Sequence, residues 1–542
     1  MLVSVLSKIQ REKQTALGYV DENRQWLSDF HMEIWNLAEP AFREYRSAAA
    51  YVKLLRDDGW TVEEGSGEMP TAFCAVWGEG KPVIGGFAEY DAVPGMSQAP
   101  VPYRKPRDEK LHPYAAGHTD PHSGLGTGAL FGFLAAKHAM EKHKLKGVLK
   151  LFGEPAEKVC GSKPVHAAKG YFDDFDASIP YHPSGYNTVR YEINAASYWN
   201  TLYTFETLHP ENWFRPKDVP FNILGHAGGR IPAALDAVCL MYTATKYVED
   251  AMLPYTAYWT MNEYIMVGGQ ATSDNLPPRI AQIQYAHRAP LLEMQEQISN
   301  VLDNTAKGVA QITGTRVTKR IIARTRVGLS NKKLSEVLYR NLQTVGPPVF
   351  GEEAREFGRK IQENLGFEPM EEPLTEACQT IASMDYFDKD IRYKFPAWVT
   401  TQGSDDYVDY QWTAPSTRLN TANAGLRNPD PNKPLPPWTR LAMNGYSPCI
   451  DPGIVTAAKT IGTTIVDLLI NPGELAQAKA EFDERTGGGV GGSKWVAPLL
   501  PKDFYPPIDL PWPEYVTTQR GFEWSLTKPG PEKEYKVLHE GV

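Results

Sequence analysis

Residues 83–95 read V-I-G-G-F-A-E-Y-D-A-V-P-G, and the fold follows from how this run is taken. Val83 to Ala88 is apolar at every position, as a strand buried on both faces has to be, and it stops abruptly at Glu89-Tyr90-Asp91. In an open α/β sheet, ligands bind beyond the carboxyl ends of the strands. Glu89 and Asp91 are therefore candidate functional carboxylates. Upstream, Ala72–Trp77 predicts a partner strand, separated by a Gly-Glu-Gly turn from the strand Pro82–Ala88. Earlier still, Ile9–Leu37 and Arg43–Gly59 carry charged, amphipathic helical patterns, the second closing on Gly59 where a C-cap belongs.

Downstream, residues 115–128 read A-A-G-H-T-D-P-H-S-G-L-G-T-G and lead into a helix predicted over Ala129–Met140. Imidazoles with a carboxylate are the donor set that Zn²⁺ selects and Mn²⁺ accepts. Pro121 fixes its own φ and disfavours helix at Asp120, which lets Asp120 and His122 face one ion. The competing reading is a polar loop in which Ser123 caps the helix and no metal is involved. Gly147–Phe152 predicts another strand, ending at Gly153-Glu154-Pro155-Ala156-Glu157-Lys158, and Ala177–Pro183 a further one carrying His182. Three strand ends thus offer Asp91, Glu157 and His182, with the histidine-rich loop between the first and the second.

A chain of 542 residues is too long for one core and suggests two or three domains. A net charge of −9 with no basic stripe argues against a nucleic-acid partner. The five cysteines are scattered and form no CxxC pair, which fits a reducing compartment. The amino-terminal run M-L-V-S-V-L-S-K-I-Q-R-E-K is too briefly apolar for a signal peptide. No window approaches the roughly 18 uncharged apolar residues of a membrane span. The expectation is a cytoplasmic protein with no membrane partner.

The run Glu68–Gln98 resembles the aminobenzoyl-glutamate hydrolase branch of the aminoacylase/carboxypeptidase metallohydrolases. So do G-L-G-T-G-A-L at 124–130, G-E-P-A-E at 153–157, A-L-D-A at 234–237, G-S-D-D-Y-V-D at 403–409 and A-E-F-D-E-R-T-G-G at 480–488. The motifs follow in order over nearly the whole chain. The resemblance implies an α/β, zinc-peptidase-like catalytic domain interrupted by a smaller α+β sandwich domain that dimerises. On this chain the catalytic domain would take residues 1–194 and 327–542, with a carboxyl-terminal extension, and the insert 195–326. Within the insert, Ala233–Met252 is expected as a helix and Tyr264–Gln270 and Ile280–Arg288 as strands. Residues 201–221 look longer than the usual connection.

By resemblance, Asp120, His122 and His182 would be metal ligands, with Asp120 at the bridging position. The family's second ion calls for a Glu-Glu pair and a late histidine. Here the pair is Glu157-Lys158, the late position reads Leu435-Pro436-Pro437-Trp438, and no histidine lies between His287 and His539. An ammonium in place of a carboxylate disfavours a second cation, so the expectation is one divalent ion, Zn or Mn, per chain. Glu157 would be the general base and Lys158 would steady the oxyanion. Asp91 would orient a metal-bound histidine from behind. His226 in G-H-A-G-G, Asn275 and Arg288 resemble substrate-facing residues, and a guanidinium suits a substrate carboxylate. His118, Glu89 and Glu154 stay open as further ligands, and Asp406 and Asp409 as parts of the site wall.

The function implied is a metal-dependent amidohydrolase that cleaves the C–N bond of an N-acyl or N-aroyl amino acid. Hydrolytic deamination of an aromatic amine, and a non-catalytic ligand-binding member, remain open. The implied partners are a small molecule carrying a carboxylate and further copies of the chain, as a homodimer or higher homo-oligomer.

Overall fold

A computed structural model describes residues 10–108, 111, 114–209, 233–253, 258–269, 278–519 and 521–525. Its central sheet contains β1 (Thr61–Glu64), β2 (Phe73–Glu79), β3 (Val83–Ala88), β4 (Gly147–Gly153) and β5 (Ala177–Ser178), in the order β1-β2-β4-β3-β5. β3 runs parallel to both β4 and β5, whereas β2 is antiparallel to β4. Every residue of β3 is buried, as its unbroken apolar run requires. Because β3, β4 and β5 are parallel, their carboxyl ends share one edge of the sheet. Glu89 to Asp91, Glu154 to Lys158 and the start of the next strand are delivered there together.

The helix predicted over Ala129–Met140 in fact spans His122–His143, so the glycine run lies inside it. The reason is close packing. A Cβ on Gly126 would fall 2.2 Å from the Tyr51 hydroxyl and 2.5 Å from the Glu89 carbonyl oxygen, and one on Gly132 would strike Ile461 at 2.7 Å. Glycines here let the helix sit directly on the sheet edge and against the helix Ser447–Ile470. Ser123 is not the cap: Pro121 holds that position, and the Ser123 hydroxyl pairs with His31 Nε2 at 3.2 Å.

β6 (Tyr181–Ser184) and β7 (Thr188–Val189) lead out of the central sheet into β8 (Asn194–Glu206). With β9 (Thr260–Val267), β10 (Ile280–Ala289) and β11 (Arg316–Arg324), β8 forms an antiparallel sheet ordered β11-β8-β10-β9. The helices Ala234–Met252 and Leu292–Thr313 supply its own core, including Val238, Met241, Ile298, Leu302 and Val309. β12 (Thr401–Ser404) adds to β8 in parallel, and β13 (Leu419–Ala422) lies between β6 and β7. Of residues 201–221, positions 201–206 complete β8 and those beyond 209 lie outside the described residues.

One helix departs from the expectation that no window is apolar enough for a membrane span. Ser447–Ile470 could cross a membrane by length and composition, and 83% of its apolar window is buried inside the protein. It packs against His122–His143 as a core helix, with Ile450, Ile454, Ile461 and Ile465 fully buried. All five cysteines are free, and only Cys239 is exposed.

Candidate active site

The strand ends and the start of the helix His122–His143 place Glu89, Asp91, Asp120, His122, Glu157, Lys158 and His182 in one cluster. His122 is its centre and is fully buried. Its Nδ1 lies 2.6 Å from Asp91 Oδ1, and the other Asp91 oxygen accepts the Lys158 backbone N–H at 2.9 Å. A carboxylate in that position fixes the tautomer and points Nε2 into the site. Around Nε2 stand Lys158 Nζ at 3.2 Å, Glu89 Oε2 at 3.3 Å and Glu157 Oε2 at 3.4 Å. His182 approaches edge-on, its ring centroid 5.8 Å from that of His122. Its Nδ1–H points to the Pro183 carbonyl at 2.6 Å, leaving Nε2 as a lone-pair donor.

The electrostatics follow from burial and from these neighbours. Burial pushes the Asp91 carboxyl up, but His122 outweighs it and holds the group at about 2. Burial and Lys158 pull His122 down while Asp91 and Glu89 lift it, to about 8 on balance. A cation arriving at Nε2 therefore competes with a proton as well as with the Lys158 ammonium. His182 is depressed to about 3, chiefly by burial and then by Arg418, so its imidazole is neutral. Glu89 is raised to about 7 by burial, against the pull of Lys163 and His122.

The donor set fits a divalent cation. Glu89, His122 and His182 bring one ligand atom each within 4.8 Å of one another. Glu89 Oε2 is buried and receives no hydrogen bond among the described residues. Two imidazole lone pairs and an unserved carboxylate oxygen facing each other are what a borderline metal takes. The sequence expectation sets Asp120 beside the two imidazoles. Asp120 Oδ2 accepts from Lys158 Nζ at 2.7 Å and feels both His182 and His122, while Glu89 brings a second carboxylate within 4.8 Å of the two imidazole nitrogens.

Lys158, expected in the place of a second cation, donates from Nζ to Asp120 Oδ2 and to Glu157 Oε2 at 3.1 Å and lies 3.2 Å from His122 Nε2. Burial opposes its charge, but Glu157 and Asp120 raise its pKa well above the ordinary lysine range. A second ammonium, unanticipated from the sequence, lies deeper: Lys163 Nζ is 2.7 Å from Glu89 Oε1 and 2.6 Å from Asp406 Oδ1. The one sequence signal for it was the Asp405-Asp406 pair in G-S-D-D-Y, an acidic doublet that has to meet something once buried.

Other expected residues take varied places. Arg288, on β10, donates to Ser404 Oγ at 2.8 Å and lies over the Tyr198 ring. His226 and Asn275 fall outside the described residues. His118 is buried, with Nε2 3.4 Å from the Ile34 carbonyl. Glu154 is taken up by His166 Nδ1 and the Tyr410 hydroxyl, and Asp409 by Arg326. A cleft of about 620 Å³ opens at Asp120 and is walled by Leu435, Pro436 and Pro437, with Arg440 at its rim. The run that lacks the late histidine thus lines the approach to the site.

No protein-family model matches the chain. It is 27% identical over 482 residues to one of the subunits of p-aminobenzoyl-glutamate hydrolase from Escherichia coli (strain K12), covering 86% of this chain and 94% of that protein. It is 24% identical over 345 residues to hippurate hydrolase of Campylobacter jejuni subsp. jejuni, covering 61% of this chain and 81% of that one. Among solved structures, the aminobenzoyl-glutamate utilization protein from Klebsiella pneumoniae superposes with a TM-score of 0.52 at 13% identity, over 85% of this chain and 100% of that one, a likeness of fold. Over most of its length the chain is thus similar to that p-aminobenzoyl-glutamate hydrolase subunit, in the branch of metal-dependent amidohydrolases that its motifs resemble.

Proposed function

We propose that the protein hydrolyses the amide C–N bond of an N-acyl or N-aroyl amino acid, using one divalent ion per chain, zinc or manganese, held by His122, His182 and Glu89. What carries this reading is Glu157 Oε2 at 3.4 Å from His122 Nε2: a carboxylate beside the one imidazole nitrogen that faces the ligand set. The ion, when bound, supplies the Lewis acidity that brings water's proton within reach of a carboxylate at neutral pH. Glu157 takes that proton as the water oxygen bonds to the carbonyl carbon, then delivers it to the nitrogen as the C–N bond breaks. Lys158, 3.1 Å from the same Glu157 oxygen, offers positive charge to the carbonyl oxygen as it becomes an oxyanion. Asp91 holds the His122 ring by Nδ1.

The cleft at Asp120 would take the acyl or aryl group, and a cationic rim residue the substrate carboxylate. Arg440 is the described candidate there; Arg288, His226 and Asn275 are the candidates by resemblance. The exposed Tyr264 and Ile265 on β9, an edge strand among the described residues, support pairing with a second copy of the chain.

Glu157→Gln is the test. Turnover of N-benzoyl and N-aminobenzoyl amino acids should fall by about 10²–10⁴-fold while metal content stays at one equivalent. Retained turnover removes Glu157 as the base, and wild-type protein binding two equivalents removes the single-ion reading.

A further inference from the structure

Lys163 opens the short helix Lys163–Ala168 with its side chain completely buried. Its ammonium is gripped by Glu89 and Asp406, which are 1% and 0% exposed, and it lies 4.5 Å from the centroid of the Phe87 ring. An ammonium serves only part of this cage. Asp406 Oδ2 is buried and receives no hydrogen bond among the described residues, while Asp405 is held by Arg418 and by the Tyr407 N–H. Glu89, Asp405 and Asp406 bring ligand atoms within 4.8 Å of one another, and so do Glu157, Cys160 and Asp406. Carboxylates at that mutual spacing, one of them with an oxygen that the ammonium leaves unserved, suit a hard or borderline divalent ion better than a single positive charge. The cage already holds a cation; what it holds is covalently part of the chain.

We infer that Lys163 is a built-in substitute for a metal ion: Glu89 and Asp406, with Asp405 beside them in its own pair with Arg418, form a latent second divalent site whose cation is the Lys163 ammonium, and removing that ammonium opens the site to Mn²⁺ or Zn²⁺. Lys158 cannot play this part, because its ammonium lies on Asp120, Glu157 and His122 at the mouth of the cleft. Glu89 belongs to both cages, one oxygen to each, so the two cation positions are neighbours joined through a single carboxylate.

The test compares wild type, Lys163→Met and the double variant K163M/D406N, each saturated with Mn²⁺, desalted and analysed for bound metal. K163M should carry one equivalent more than wild type, and K163M/D406N should lose that extra equivalent. Mn²⁺ should also raise the melting temperature of K163M by more than it raises that of wild type. Equal metal in K163M and wild type overturns the inference. Should K163M be recovered only unfolded, refolding in Mn²⁺ decides the matter: recovery of folded protein with the extra equivalent supports it, and no recovery overturns it. The wild-type count itself tests the single-ion proposal, whereas the difference between K163M and wild type tests Lys163, so either can fail without the other.

Discussion

Lys158 and Lys163 are five residues apart in the chain, and both are held by carboxylates of the same cluster. They differ in water. The Lys158 side chain is 25% exposed and its partner Asp120 35%, whereas Lys163 is at 0% beside Glu89 at 1%. An ion pair at the mouth of a cleft can break and re-form at little cost, since solvent takes over from either partner. A sealed pair cannot: losing one member strands the other charge in a medium that does not solvate it. The lysine at the cleft is therefore available to a substrate, and the sealed one acts as a fixed charge of the fold.

The sharpest way to break this comparison is to truncate both lysines and measure stability. Lys163→Met leaves Glu89 and Asp406 without their cation and should cost about 3–5 kcal/mol in urea unfolding without added metal. Lys158→Met, with a partner in contact with water, should cost no more than about 1 kcal/mol. Similar losses for the two would mean that burial does not separate their roles.

Activity should invert that order between folded proteins. Lys158→Met removes the charge offered to the oxyanion and should lower kcat by about 10²–10³-fold. It also frees His122 Nε2 from the ammonium now 3.2 Å away, so the variant should bind Mn²⁺ more tightly than wild type, as isothermal titration would read. Weaker binding would show that Lys158 supports the ion rather than competing with it.

Much of this is legible in the sequence alone. The unbroken apolar run of β3 and the carboxylates after it mark the edge where the cluster gathers, and parallel strands then bring Asp91 and Glu157 to the same place, with His182 on β6 just beyond β5. Lys158 announces itself by standing in a Glu-Glu motif. Lys163 does not, because nothing local separates a buried lysine from a solvated one; its neighbours Pro164, Val165 and Ala167 are equally at home at a helix start. Its partner Asp406 is 243 positions away, a contact that no periodicity encodes. The helix boundary at His122 is hidden for a related reason: a glycine run reads as loop until Tyr51 and the Glu89 backbone are known to press against it. That Glu89 joins Asp120 beside the imidazoles turns on side-chain reach, which spacing alone does not settle.

A half-buried carboxylate with no cation paired to it among the described residues sharpens the comparison further. Asp451, in the helix Ser447–Ile470, has Oδ1 buried and unpartnered among the described residues, and burial raises its carboxyl to about 6. A folded-state pKa above the unfolded one means that its contribution is full below about pH 4 and is lost as pH rises through 6. At neutral pH the carboxylate is a net cost. Asp451→Asn should raise stability by about 1 kcal/mol at pH 7 and change it little at pH 4, as thermal melts at the two values would read. An equal gain at both would assign the effect to packing instead.

The smallest effect should come from the most exposed cation near the site. Arg440 Nη2 lies 3.5 Å from Asp120 Oδ1 and its side chain is 61% exposed, so Asp120 stands between a cleft-rim guanidinium and the Lys158 ammonium. A pair this wet contributes almost nothing to stability, which leaves the guanidinium free to meet an incoming carboxylate. Arg440→Ala should then raise KM for N-acyl amino acids by a few-fold, on the order of 1 kcal/mol of lost binding, with kcat unchanged because the interaction is the same in ground and transition states. Amide analogues lacking the carboxylate should show no difference between variant and wild type. A fall in kcat instead would mean that Arg440 acts through Asp120 on Lys158, and would move it from substrate capture to the positioning of the ammonium.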